Sequence, residues 1–196
     1  MKFQSDIDID FADREQILQL IKHTPASLRR NDALAAHNTG VHPTMIPADP
    51  FTGLASLDYE QAEDRGYLKL DFINVNLYRQ VRDEAHLVEL MNSTPNWQRF
   101  NTDKAFFEQL IHVNNHWDLL KRMPEPVDTI PRLAMFLSVI RPAKRNLAGM
   151  AWSEVAKHVW TRPDDGAYYF KKSHAVAYAH LVVVNMNLIS FADQHN

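Results

Sequence analysis

Three aspartates occupy alternate positions in residues 5–11, SDIDIDF: Asp6, Asp8 and Asp10, with Ile7, Ile9 and Phe11 between them. On an extended chain, side chains two residues apart leave from the same face. Each residue advances the strand by about 3.3 Å, so successive carboxylates stand about 7 Å apart at Cα. That spacing lets them bridge a pair of magnesium ions about 3.5–4 Å apart, the arrangement used for in-line phosphoryl displacement. A donor set made only of oxygen suits magnesium better than zinc. A third carboxylate on an adjoining strand would complete the site, and Asp71, in the alternating YLKLDF at 67–72, is the candidate. The same D-x-D-x-D pattern also describes an edge strand with solvated aspartates, and spacing alone leaves both readings open. It does not describe a calcium loop, because Phe11 stands where glycine is needed and Ile7 and Ile9 are apolar.

Other constellations carry less. His112 and His116 are four apart on an expected helix, which would set two ligands on one face. The intervening Val113-Asn114-Asn115 lacks the metalloprotease glutamate and no cysteine is present, so they read as exposed or core histidines. Trp152, Trp160, Tyr168, Tyr169 and Phe170 could stack on bases, whereas the spacing of Trp152, Val155 and Val159 suits a helix core. Five glycines leave no phosphate-cradling loop, and there is no Ser-His-Asp signature.

The elements that must position these residues follow from periodicity. The alternation at 5–11 predicts a strand with one buried face. Asp13 is placed to cap a helix carrying Ile17, Leu18, Leu20 and Ile21. Residues 23–53, rich in Pro, Asn, His and Thr, are expected to form a long irregular connection with at most a short helix. A second strand is expected at 67–72. Leu77, Val81, Ala85, Val88 and Met91 then mark one helical stripe. Further helices are expected at 103–113, 128–140, 151–160 and 174–192, with Asp128 or Thr129 capping the second, Pro142 stopping it and Ser173 capping the last. The class is α+β: a small mixed sheet carrying acidic residues, packed with a mostly helical region. Turn formers gather at 92–102, 123–127 and 161–166, which are candidate lobe boundaries.

A chain of 196 residues, 45% hydrophobic, can bury a core and is expected to be one domain, with or without a mobile lobe. The absence of cysteine removes disulfides and thiolate zinc and suits a reducing, cytoplasmic setting. MKFQSDIDID has no apolar stretch of signal-peptide type. His180, Asn185 and Asn187 interrupt the apolar run at 175–192, so a buried helix and no membrane association are expected. The net charge of −3 argues against tight non-specific DNA binding. Charge is nevertheless uneven. The first twenty residues are acidic, while 141–172 carry Arg141, Lys144, Arg145, Lys157, Arg162, Lys171 and Lys172. Such a distribution suits metal ions at one wall of a site and phosphates at the other, and equally suits scattered surface charge.

Five blocks, in order, resemble the bacterial DNA polymerase III alpha subunit, the C-family replicative polymerase. SDIDIDF at 5–11 is similar to P-D-F-D-I-D-F, and HNTGVHPTMIP at 37–47 to R-N-x-G-x-H-A-x-G-V-V-I-x-P. YLKLDFINVNLY at 67–78 is similar to L-x-K-x-D-F-L-G-L, FLSVIRPA at 136–143 to A-L-x-R-P-G, and FKKSHAVAYA at 170–179 to F-N-K-S-H-A-x-A-Y-A. The resemblance implies a reduced palm-and-fingers fragment over residues 1–196, phage-like or a gene remnant. It makes Asp6, Asp8 and Asp71 the catalytic, metal-binding aspartates of a two-ion Mg2+ site. It puts Lys69 near the nucleotide or primer end, and His42, Arg141, Lys172, Ser173 and His174 on the side of the incoming triphosphate. For the last block, the alternative is a capped helix with solvated lysines.

The departures are specific. The family's upstream Gly-Ser motif, most of its fingers insertion and its flanking domains have no counterpart in these residues. Val41 stands for Lys, Ala143 for Gly and Lys171 for Asn. The expected chemistry is two-metal nucleotidyl transfer to a DNA primer end, with deoxynucleoside triphosphates as substrates. The alternatives are a non-catalytic module that contacts DNA, a nucleotide or replication proteins, and a subunit that becomes active beside a partner chain.

Overall fold

The computed structural model of the chain describes residues 7–162 and 170–194, so the expected roles of Asp6, Tyr168 and Tyr169 lie outside the described residues. The fold is α+β, and the chain divides into two compact units, Met1–Gln80 and Val81–Asn196. The boundary falls at none of the three expected breaks. Residues 92–102 instead hold helix α4 (Trp97–Thr102), because the Asn96 side chain accepts the amide of Arg99 at 2.9 Å and starts a helix where turn formers suggest a linker.

The first unit is built on a mixed sheet of β1 (Asp8–Phe11), β2 (Thr24–Arg30), β3 (Ala33–His42) and β4 (Leu70–Asn74), in the order β1-β4-β3-β2. β1 runs parallel to β4, and β3 is antiparallel to both of its neighbours. Helix α1 (Arg14–Leu20) starts as expected, with Asp13 accepting the amide of Glu15 at 3.1 Å. Helix α2 (Tyr59–Asp64) is capped by Asp58.

Residues 23–53 are not an irregular connection, since the β2–β3 hairpin occupies most of their first half. Its turn is Asn31-Asp32, both left-handed at φ 49° and 62°. Asn and Asp adopt that conformation more readily than other non-glycine residues, and a two-residue turn of this hand matches strand twist. Ala33, Ala35 and Ala36 conceal the strand in the sequence, because alanine has little strand preference and pairing supplies the stabilisation. On the apolar side of the sheet, Phe11 packs on Phe72 with ring centroids 4.8 Å apart.

The second unit is helical. The expected stripe from Leu77 to Met91 is broken: Leu77 sits in a 3-10 turn at Asn76–Gln80, and helix α3 (Glu84–Asn92) begins afresh behind an Asp83 cap. Val88 and Met91 are 50% and 40% exposed, and Leu90 is the buried residue. The helix expected at 103–113 is the short α5 (Lys104–Phe107) followed by turns. After α6 (Trp117–Leu120) comes α7 (Ile130–Val139), capped by Thr129 through the amide of Arg132 at 3.3 Å and followed by Pro142. α8 (Trp152–His158) contributes Trp152 and Val155 to the core, and Val159 joins them just beyond its end.

α9 (Lys172–Gln194) is long and apolar enough by length and composition to cross a bilayer. Here Ala175, Ala179, Val182, Val183 and Met186 are in the core of the unit. Ser173 lies inside its first turn and not at its cap. The two asparagines that interrupt its apolar run bind neighbouring backbone. The side-chain carbonyl of Asn185 accepts the Ile111 amide at 2.9 Å, and Asn187 donates to the carbonyls of Leu90 and Ser93 at 2.7 and 3.0 Å. A buried amide is tolerated in a core when its hydrogen bonds are made.

Candidate functional site

The acidic face of the first unit is assembled by strand register. Asp8 and Asp71 are Cα partners in the parallel β1–β4 pair. Register partners on adjacent strands project to the same face, with the strands about 4.8 Å apart. Asp10 follows on that face two residues along β1. Burial, and then the negative charge of Asp8, raise its pKa above the ordinary carboxylate value. Tyr78 lies within the field of Asp10, and burial followed by that charge raises its phenol.

Asp71 is buried and fully engaged. Lys69, just before the start of β4, forms an ion pair with one carboxylate oxygen (Oδ2). Thr39 donates its hydroxyl to the other (Oδ1) at 2.7 Å. His37 Nδ1 stands 3.6 Å from that same oxygen. The Lys69 ammonium also lies 5.7 Å from the centre of the Tyr59 ring, whose edge meets the His37 imidazole at 5.5 Å.

A bulge in β3 delivers Thr39 and His37 to this position. Ser27 pairs with Ala36 and Pro25 with Val41, so residues 37–40 on β3 oppose only Ala26 on β2. A bulge re-aims side chains that regular alternation would send elsewhere. It is closed by His37 Nδ1, which accepts the amide of Gly40 at 2.9 Å and of Thr39 at 3.3 Å. Nδ1 is therefore unprotonated, and the proton of the neutral ring is on Nε2. Burial, followed by the charge of Lys69, lowers the His37 pKa below 6.5. Gly40 is required here: a Cβ would lie 2.9 Å from His37 Nδ1 and 3.0 Å from the Ala26 methyl. Arg14 closes the other side, donating a guanidinium N–H to the carbonyl of Asn38.

His42 is completely buried, with Nδ1 donating to the carbonyl of Leu68 at 2.9 Å and Nε2 enclosed without a partner. It is an enclosed residue at the end of β3, where the resemblance implies a residue beside the triphosphate. In the second unit, Arg141 and His174 gather around one ring. The Arg141 guanidinium lies 5.0 Å from the Phe170 centroid, and the His174 ring meets Phe170 edge-on at 6.2 Å. Phe170 in turn stacks on Tyr178 at 5.3 Å, and Tyr178 on His112 at 4.4 Å. Lys172 and Ser173 are exposed in the first turn of α9. His112 and His116 lie in the turns after α5 and at the start of α6, not on one helix, and His112 has a left-handed φ of 63°.

No family model, curated protein or solved structure matches this chain.

The chemistry of the face therefore rests on its own geometry. Asp8 and Asp71 supply oxygen donors of the kind magnesium takes. Among the described residues, no three Asp, Glu, His or Cys groups converge as a metal site, and the Lys69 ammonium is paired with Asp71. His37, Thr39 and Arg14 are the members that the sequence reading did not single out. The HNTG segment was the available signal, but only the bulge turns it towards Asp71.

Proposed function

We propose that the chain is a reduced domain of the polymerase III alpha type whose acidic face takes a divalent cation together with a nucleoside triphosphate or a DNA primer end. The observation that carries this reading is the register partnership of Asp8 and Asp71. It supports a cation shared between two carboxylates from strands distant in sequence. Asp8 and Asp71 would hold magnesium there, with Asp6 the third carboxylate by resemblance. Bound magnesium would supply charge neutralisation at phosphate oxygens and activation of the attacking hydroxyl. Lys69 pairs with Asp71 and would exchange that contact for the cation. Arg141, Lys172, Ser173 and His174 are phosphate-contact candidates by resemblance alone.

The second reading is a binding module without catalysis, and one observation favours it. Both oxygens of Asp71 already have protein partners in Lys69 and Thr39, so Asp71 needs no metal to be paired. A small misplacement of reacting groups can cost about 100-fold in rate, and net negative charge weakens the hold on DNA. The expected outcome is therefore cation binding with at most trace primer extension. Manganese binding followed by electron paramagnetic resonance, beside primer extension, tests both. Binding that disappears in an Asp8→Asn, Asp71→Asn double variant supports the cation reading. Extension that also disappears there makes the chain a minimal polymerase. Equal manganese binding in the wild type and the double variant removes the acidic face from the function.

A further inference from the structure

Five arginines of the second unit, Arg82 and Arg162 aside, fall into two groups. Arg99 is paired with Asp103 and Asp193, and Arg132 with Glu125 and Asp128. Arg122, Arg141 and Arg145 have no carboxylate partner among the described residues. The last three are not scattered. Arg122 and Arg145 line one concavity of about 330 Å³ with Asn115, His116, Asp118 and Leu119. Arg141 is four residues before Arg145, and its Nε is buried without a hydrogen-bond partner.

The histidine in the concavity reports the same field. Burial, then Arg145 and Arg141, lower the pKa of His116. Arg145 spends one N–H on the carbonyl of Ile140 at 2.8 Å, which fixes the guanidinium and leaves its other donors available. Asp118 is the single carboxylate in the lining, against the two arginines there. Arginine presents a planar fork of donors matched to phosphate oxygens. Two arginines set against a single carboxylate leave an excess of like charge, and a bound anion relieves that repulsion.

We infer that the concavity lined by His116, Arg122 and Arg145 is a binding site for a phosphoryl oxyanion. Arg122 and Arg145 grip the oxygens, and Asn115 and His116 offer further donors at the rim. Asp118 opposes the charge of the ligand and limits affinity. The site is independent of the acidic face and of the polymerase resemblance, since none of its three principal residues belongs to a resembling block or to the first unit. Its phosphoryl group has two sources, free phosphate or the backbone of a nucleic-acid strand.

The test is a titration of the full chain at constant ionic strength, following the His116 ring signals by NMR. Inorganic phosphate is one arm and a short single-stranded oligonucleotide the other, with chloride as the blank. Saturable shifts of His116 with phosphate, weakened about tenfold or more in Arg122→Gln, support the site, because a charge-assisted bond of this kind is worth at least about that factor. Arg122 is exposed and makes no ion pair among the described residues, so this variant is expected to fold. An Arg122→Gln, Arg145→Gln double variant is expected to lose binding, and Arg132→Gln to keep it. Oligonucleotide binding that phosphate displaces assigns the source to a strand, and phosphate binding without it assigns the free anion. Absence of a saturable shift in both arms, or equal shifts in the double variant, overturns the inference.

Discussion

Asp8 on β1 and Asp71 on β4 are direct register partners, yet Asp71 gives its carboxylate to Lys69 and Thr39. One residue of the pair lies at an open strand start, and the other is buried within a hydrogen-bonded cluster. The face thus sets two carboxylates side by side, one of them paired with an internal ammonium.

Lys69→Met is expected to separate that pairing from cation binding. Removing the ammonium leaves Asp71 with a neutral donor and lowers stability, since a buried charge stripped of its partner is penalised. The same change frees the Asp71 oxygen that Lys69 holds. Manganese affinity should rise about tenfold, equivalent to about 1.4 kcal/mol, while the urea midpoint falls. A simultaneous fall in affinity and stability would show that Lys69 only supports the fold.

The bulge is the second target. Gly40→Ala drives a methyl into His37 and Ala26 and should cost about 1–3 kcal/mol, as overpacking generally does. Thr39→Val keeps the shape and removes the donor to Asp71. It should cost about 1–2 kcal/mol for a hydrogen bond to a partly screened charged group. Urea unfolding of both variants measures these values, and an unchanged midpoint in Gly40→Ala would mean that β3 relaxes at no cost.

Stability should fall in mild acid. His37, His42, His112 and His116 all have pKa values lowered chiefly by burial. A histidine whose pKa is lower when folded takes its proton more readily when unfolded. Its contribution is complete above about 6.5 and is lost as pH falls from there towards the folded value. Asp10, raised by burial and Asp8, works in the opposite sense: its contribution is complete below its unfolded value and lost as pH rises through the folded one. His42 should dominate the histidine effect, because protonation creates a buried Nε2–H donor with no acceptor. Urea midpoints between pH 5 and 7 should drop with acid, and His42→Gln should flatten that slope.

Asn187 joins α9 to the end of α3 through two carbonyls. Asn187→Ala leaves both carbonyls buried without that donor and should cost about 2–3 kcal/mol. Asn187→Leu, which restores volume but no donor, should recover little. Thermal unfolding distinguishes the two, and full recovery in the leucine variant would reduce the role of Asn187 to packing.

Local features were legible without the fold. Strict alternation at 5–11 predicts a strand with one buried face; β1 forms at Asp8–Phe11, but Ile9 and Phe11 are only half-buried and Ile7 is exposed. Asp13 and Thr129 cap the helices they precede, because a capping bond spans only two or three residues. Trp152, Val155 and Val159 are buried as their spacing predicts. The pairing of Asp8 with Asp71 was foreseeable only as a juxtaposition of two strands; its register depends on hydrogen bonds between segments far apart in the chain. Tertiary structure alone turned Thr39 and His37 towards Asp71, since a bulge breaks the alternation from which side-chain direction is read. It likewise made a hairpin of residues expected to be irregular, divided a continuous apolar stripe after Leu77, and enclosed His42 at the end of β3. In each case long-range pairing and packing outweighed local preference, and those terms belong to the folded chain as a whole.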